Sequence, residues 1–405
     1  MTKRRSKGTR ALLEEMGDLG GFAETMTEIT GAGLKVVDIV LDRIRPDPAQ
    51  PRRVLPQSIR QEFLAGHINA RQALERWEAQ VAEEATRNGR PRPDWKALLE
   101  RNPEDRSDDT GVDAPGIAGP EEELLRAIVS TAATIRYGGQ VSPITVSEIE
   151  SGNYYRIETG ERRYWAHHWL NTWLSEGFDQ IQCIVVERAS PWRQAAENTS
   201  RERLSAMAMA RQLATLLLDL HDIQPDYAQA IPNDWYRQAL QHRVPRGEGE
   251  RLRAALGGIS RSQFSRIQAL LELPDAVWEL ADRHRVEEKR LRYLLKIQDD
   301  ALQLQAMKAI VASDLSAERI QQIVERGEFD EFVEGASSGV PVSRRPAGPD
   351  RLVNNWSRLV RDVPKTDLDQ VVDQWLLDEK PDDIRKQLST LRKLLDLVEK
   401  RIERD

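Results

Sequence analysis

Two short clusters in this 405-residue chain combine residue types suited to gripping a phosphorylated ligand. In YYRIETGERRYWAHHWL, a strand-forming run passes through Gly160 straight into a helix-forming segment that opens with Glu161, Arg162 and Arg163. The first N–H groups of a helix lack intrahelical partners and carry the positive end of the macrodipole, so an anion is stabilised there. Glycine lets the backbone approach a ligand, and each guanidinium presents a planar fork to two phosphate oxygens. An ordinary turn followed by surface arginines would read the same way. The second cluster, ENTSRER at 197–203, puts Glu197 and Arg201 four residues apart on one helical face, with Asn198 beside them. A carboxylate and an amide oxygen are hard ligands for the Mg²⁺ of a nucleotide, and the arginine would serve its phosphates. The plainer alternative is an ion pair at a helix start, worth a few tenths of a kcal/mol.

A third segment suits a larger polyanion. RLRAALGGISRSQFSRIQALL, 251–271, holds Arg251, Arg253, Arg261 and Arg266 and no acidic residue, although 59 basic against 66 acidic residues give the chain a net charge of −7. Such local asymmetry marks one element for a nucleic acid. The pattern predicts two helices around a glycine turn, a helix-turn-helix: Gly257 and Gly258 supply positive φ, Ser260 caps the second helix and Pro274 ends it. Phe264, Ile267 and Leu271 would face the core, leaving Arg261, Ser262, Gln263, Ser265 and Arg266, with Ser260, for DNA. Arginine and glutamine can pair with guanine or adenine edges while serines reach phosphates.

The elements that must hold these clusters follow from periodicity. VVDIVLDRI from Val36, PITVSEI, YYRIET and IQCIVVE at 181–187 read as strands, and ERRYWAHHWLNTWLSEG as a helix whose Trp165, Trp169 and Trp173 form a core stripe. From Pro191 onward the chain reads as helix. The fold class is therefore α+β, mostly α, in several domains, as the length suggests. Residues 1–35 read as a mobile basic tail, 36–190 as a small mixed domain with a polar insert at about 56–120, and 191–334 as a helical domain. GASSGVPVSRRPAGPD, 335–350, reads as a linker. Beyond it Leu388, Leu391, Leu395, Val398 and Ile402 space a seam for a helical dimerisation domain, 351–405, with packing inside its own domain as the alternative.

Several classes drop out. No apolar run approaches the roughly 18 residues of a bilayer span, and the amino terminus lacks an apolar signal core, so a cytoplasmic location is expected with no membrane partner. The single cysteine, Cys183, allows neither an intrachain disulfide nor a multi-cysteine zinc site and reads as core. There is no GxxxxGK[ST] loop and no HExxH, and His167 and His168 read as packing residues.

Taken in order, IRPDPAQPRR, GQVSPITV, GERRYWA and ENTSRERL resemble the amino-terminal domain of the ParB family of DNA-segregation proteins, and the stretch from SRSQFSRIQALLELP to LRYLLKI resembles that family's DNA-binding domain. The resemblance implies a pocket for CTP and Mg²⁺. It gives phosphate roles to Gly160, Arg162, Arg163 and Arg201, metal-side roles to Glu197 and Asn198, and a hydrolysis-related role to Glu161, a CTPase acting as a switch. It further implies binding to double-stranded, centromere-like DNA, a homodimeric clamp loaded in plasmid or chromosome partition, and association with nucleoid or plasmid. The tail KRRSKGTRALLEEM resembles the one with which such proteins stimulate a ParA-type Walker ATPase, though nonspecific DNA binding would use the same residues. Trp165 stands where a basic residue is common, and 56–120 and 221–246 are longer than the pattern. A regulator without a segregation role, and a nuclease with Glu161 and Glu197 on a metal, are the alternative readings.

Overall fold

The computed structural model describes residues 35–100, 118–149, 153–174, 177–200 and 204–332. The basic tail, Arg201, the linker and the leucine seam lie outside them. β1 (Val36–Val40) and β2 (Ile44–Arg45) flank a single 3₁₀ turn, and three helices follow: α1 (Gln57–Leu64), α2 (Ala70–Arg87) and α3 (Trp95–Glu100). Then come α4 (Pro120–Gly138), β3 (Ile144–Glu148), β4 (Tyr155–Thr159), α5 (Glu161–Leu174) and β5 (Gln180–Val186). The mixed sheet has the order β1-β5-β3-β4-β2. Pairing is antiparallel for β1 with β5 and β3 with β4, and parallel for β3 with β5 and β2 with β4. The expected single strand VVDIVLDRI is broken by the turn Leu41–Arg43 into β1 and β2, which pair at opposite edges of the sheet, whereas β3, β4 and β5 form over the runs that announce them.

One hydrophobic core joins this sheet to its helices. Ile144, Val146, Ile157 and Cys183 from the strands pack with Trp165 and Trp169 of α5. The described part of the polar segment, 56–100, enters the same core, because Leu74, Trp77, Val81, Trp95 and Leu99 are all buried in it. On α2 these apolar positions recur every three or four residues, so an otherwise charged helix buries a narrow stripe. Asn69 and Gln72 close its start with a reciprocal capping box. Trp173 departs from the expected core stripe: it is exposed and stacks on Trp169 at 4.0 Å, since the last turn of α5 runs past the edge of the core.

The rest is helical: α6 (Pro191–Ser200), α7 (Ala206–Asp219), α8 (Asn233–Arg237), α9 (Gly249–Ala255), α10 (Arg261–Ala269), α11 (Asp275–Arg283), α12 (Glu288–Leu291), α13 (Asp300–Ser313) and α14 (Ala317–Arg326). Their second core surrounds α7, whose Leu213, Leu216, Leu217 and Leu218 are fully buried beside Phe264, Ile267 and Leu271 of the predicted DNA-reading helix. No helix among the described residues is long and apolar enough to cross a membrane.

Candidate functional site

The two phosphate-type clusters, 37 positions apart from Gly160 to Glu197, line one cleft of about 100 Å³. Gly160 ends β4 with φ +98°, and its carbonyl accepts from the Arg163 and Tyr164 N–H groups as α5 begins. A Cβ at this position would lie 2.6 Å from Ile144 Cγ2, so the bare backbone makes room for β3 as well as for a ligand. Arg162 and Arg163 follow on the first turn. Arg163 donates through Nη1 to the carbonyl of Ser142 and, at 2.7 Å, to that of Pro143, tying down the loop before β3. Its fork is partly engaged by the protein; Arg162 lines both this cleft and an adjoining one of about 180 Å³.

The opposite wall is α6. Arg193 donates to both oxygens of the buried Glu158 on β4, at 2.8 and 2.7 Å, and Gln194 reaches the Glu158 carbonyl, so α6 is held against the sheet. Asn198, 7% exposed, donates Nδ2 to Gln212 Oε1 at 3.0 Å, which fixes the direction of its amide. Thr199 joins α6 to α9 by donating to the Ala255 carbonyl at 3.0 Å. Arg201 falls outside the described residues. No group of three or more His, Cys, Asp or Glu side chains among the described residues is placed to hold a metal. A cation here would rest on Glu197 and Asn198 and take its other ligands from phosphate and water, the usual habit of Mg²⁺.

Gln50 and Arg52 also line the cleft. Their signal lay in the AQPRR string rather than in either cluster. Gln50 is 8% exposed and its Oε1 has no hydrogen-bond partner within the protein, leaving a buried acceptor at the wall of the site. The carbonyls of this segment are held by distant arginines. Arg60 donates to Pro48 O at 2.6 Å and Arg211 of α7 to Pro51 O at 2.7 Å. Arg283 of α11 donates to Leu55 O and pairs with Glu121 at 3.0 Å. Arg211, with no exposed side-chain surface, also pairs with Asp282 at 2.7 Å. Among so many like charges, burial first and then Arg211 and Arg60 pull the Arg53 guanidinium down to about 9.

Trp165 donates Nε1 to Glu161 Oε1 at 3.1 Å, and its indole packs edge-on to Phe63 of α1 at 5.2 Å. The departure at Trp165 thus supplies a neutral donor to a carboxylate. Burial raises the Glu161 carboxyl to about 7 despite that bond and the nearby Arg60. Burial conversely lowers the His167 and His168 imidazoles to about 4 and about 3, the latter helped by His167 and Arg45. The signs oppose each other. The depressed histidines contribute stability above their ordinary 6.5 that is lost on acidification through their folded values, and the raised Glu161 contributes stability below 4.5 that is lost as pH rises through 7. Taken alone, these three groups make unfolding free energy fall by on the order of 2 kcal/mol from pH 7 to pH 5, two imidazoles outweighing one carboxyl; the raised Asp47 and Glu121 carboxyls reduce that fall and the lowered His284 adds to it. In urea titrations Glu161→Gln should steepen that fall; a fall unchanged by the substitution would contradict it.

The helix-turn-helix forms as the residues require. Gly257 and Gly258 take φ +86° and +73° between α9 and α10. Ser260 and Gln263 make a capping box, with Ser260 Oγ accepting from Gln263 N at 3.2 Å and Gln263 Oε1 from Ser260 N at 2.9 Å. Ser260, Arg261, Ser262, Gln263 and Ser265 are exposed. Two side chains expected to be available are partly engaged. The Gln263 carbonyl oxygen is used by the cap, and Arg266 pairs with Glu288 at 3.3 Å because α12 packs beside it. Arg251 likewise lies over the Trp192 ring at 4.0 Å and pairs with Glu248, so the acid-free stretch is neutralised in part by residues from outside it.

Residues 250–328 match the family model of the ParB HTH domain. The chain is 27% identical over 212 residues to a nucleoid occlusion protein of Geobacillus thermodenitrificans (strain NG80-2), a match covering 50% of this chain and 62% of that protein. To the nucleoid occlusion protein of Lysinibacillus sphaericus (strain C3-41) it is 27% identical over 209 residues, covering 50% and 56%. The chain therefore spans less than two thirds of these relatives' own length. Among solved structures, the C-terminally truncated chromosome-partitioning protein ParB from Caulobacter crescentus, complexed to the centromeric parS site, aligns over 72% of this chain and 99% of that chain with 15% identity and a TM-score of 0.28.

Proposed function

We propose, from the match of residues 250–328 to the ParB HTH domain, that the chain is a ParB-family partition protein that binds a specific double-stranded DNA site. In this reading CTP and Mg²⁺ switch it into a homodimeric clamp on plasmid or chromosome, and a ParA-type ATPase moves it. The observation that carries the reading is the joining of two separated clusters in one cleft, Gly160 to Arg163 with Glu197 and Asn198, on a body that also presents the exposed start of α10. The cleft by itself accommodates a phosphate group rather than a whole nucleotide, for which pockets of roughly 300 Å³ or more are usual. It shares Arg52, Val54 and Arg162 with its neighbour, so the charge for a polyphosphate is continuous across both.

Within the proposal each side chain has a physical task. Arg162 and the N–H groups opening α5 bind phosphate, Arg163 holds the loop before β3, and Glu197 with Asn198 hold the cation. Bound Mg²⁺ would neutralise phosphate charge. Glu161, raised toward neutrality by its surroundings, can hold or release a proton near physiological pH at the cleft wall. That property suits a slow CTPase switch.

The test separates two functions that sit on different elements. Arg162→Ala is expected to weaken CTP binding about tenfold to a hundredfold in calorimetry, the loss of about 1.5 to 3 kcal/mol from one charge-assisted contact, with DNA-site recognition retained. Arg261→Ala is expected to cost about 1 to 3 kcal/mol in binding to the cognate site and leave CTP affinity unchanged. Absence of CTP binding in the unaltered protein, with and without cognate DNA, would remove the switch and leave a DNA-binding regulator. A role in nucleoid occlusion, the function named for the two relatives, is the second reading. Mapping bound DNA in cells and scoring plasmid or chromosome loss distinguishes it from partition.

A further inference from the structure

A larger cavity, about 800 Å³, shares no lining residue with the cleft at Gly160. Its walls are β2, β4, the 63–72 connection from α1 into α2, and the 227–229 loop before α8. The two long departures from the family pattern, 56–120 and 221–246, therefore meet across one space. That volume falls within the roughly 300–1,000 Å³ of small-molecule sites.

The lining has a definite chemistry. Arg156 of β4 lies over the Tyr227 ring, Cζ to centroid 3.6 Å, and its buried Nε has no hydrogen-bond partner. Arg45 of β2 anchors one end of its guanidinium on the Asp42 and Ile44 carbonyls and lies over the Tyr154 ring at 4.8 Å. His168 is 6% exposed, lines the cavity, and its Nε2 also lacks a partner. Phe63, Tyr164 and Tyr227 add flat apolar surface. Arg45 and Arg156 face one lining carboxylate, Asp42, and the Asp47 carboxyl near Arg156 is buried and raised toward its neutral form, a balance that favours an anion, while the rings favour a planar body.

We propose that this cavity is a second small-molecule site that takes an aromatic anion, its ring among Phe63, Tyr164 and Tyr227 and its anionic group on Arg45 and Arg156. A site walled by segments outside the family pattern adds a ligand input separate from the nucleotide. It does not depend on the nucleotide reading.

The probes are phenyl phosphate, benzoate and naphthalene-2-sulfonate, titrated calorimetrically into the full chain, with phenol and inorganic phosphate as the separated halves and CTP as the probe of the other site. At least one aromatic anion is expected to bind tenfold or more tighter than either half. Arg156→Met should weaken it at least tenfold while leaving CTP affinity unchanged, and Arg162→Ala should do the reverse. Ala228→Trp, at an exposed position on the rim, blocks the entrance without touching a core and is expected to give the same loss should Arg156→Met fold poorly. Binding by none of the three anions, or equal binding by the unaltered chain and the Ala228→Trp variant, would overturn the proposal. Failure of CTP to bind would bear only on the nucleotide cleft.

Discussion

Arg211→Ala is expected to destabilise the folded chain by about 3–5 kcal/mol, the cost of stranding one member of a buried ion pair. Arg211 has no exposed side-chain surface and serves two partners, Asp282 of α11 and the carbonyl of Pro51. Burial alone would raise the Asp282 carboxyl; Arg211, the Ser205 hydroxyl and Arg53 pull it below the ordinary value instead. With Arg211 gone, that carboxylate is left charged in a poor solvent or must take up a proton. Urea unfolding at pH 7 reads the loss directly, and a loss under 1 kcal/mol would show that the pair is solvated. The double variant Arg211→Met with Asp282→Leu should recover much of it, because removing both charges removes the desolvation cost along with the attraction.

Trp77→Ala is expected to cost about 3–5 kcal/mol as well, the range for emptying a buried aromatic site. The indole is fully buried between Leu74 and Val81 along α2 and belongs to the same core as the sheet. If 56–120 were an appendage, the substitution would leave the cooperative unfolding of the sheet intact. A single transition shifted to lower urea, followed both by tryptophan fluorescence and by far-UV circular dichroism, is the expected result. Two separated transitions would show that the segment folds by itself.

The strands were legible because their signal is local: Val36–Val40, Ile144–Glu148 and Gln180–Val186 are β-branched runs bounded by breakers. Gly160 and Ser260 were legible for the same reason, since a turn needing positive φ and a helix needing a cap each select their residue at one position. The share of the insert in the core was hidden. Leu74, Trp77 and Val81 sit among so many charges that a narrow buried stripe is outweighed in composition. Harder still were the arginine clamps. Nothing near Arg211 or Arg283 indicates a carbonyl 160 or 228 positions earlier as its partner, and partners so distant leave no periodic trace. The engagement of Arg266 by Glu288 was missed similarly, as the acid-free run ends before the acid that neutralises it.

The clamp on Leu55 also sets an order of events during synthesis. Arg283 is 228 residues downstream of the carbonyl it holds, so at roughly 5–20 residues per second the AQPRR segment waits about 10–50 s after leaving the ribosome for its last tether. Throughout that interval the sheet and α2 can assemble around their own core, and Arg60 can already hold the Pro48 carbonyl, while the Leu55 carbonyl lacks its arginine. The segment beside the cleft thus acquires its full set of backbone tethers only when the helices that carry Arg211 and Arg283 have emerged and docked. A polypeptide cut short between the two halves would lack both Arg211 and Arg283, and with them the tethers on the Pro51 and Leu55 carbonyls.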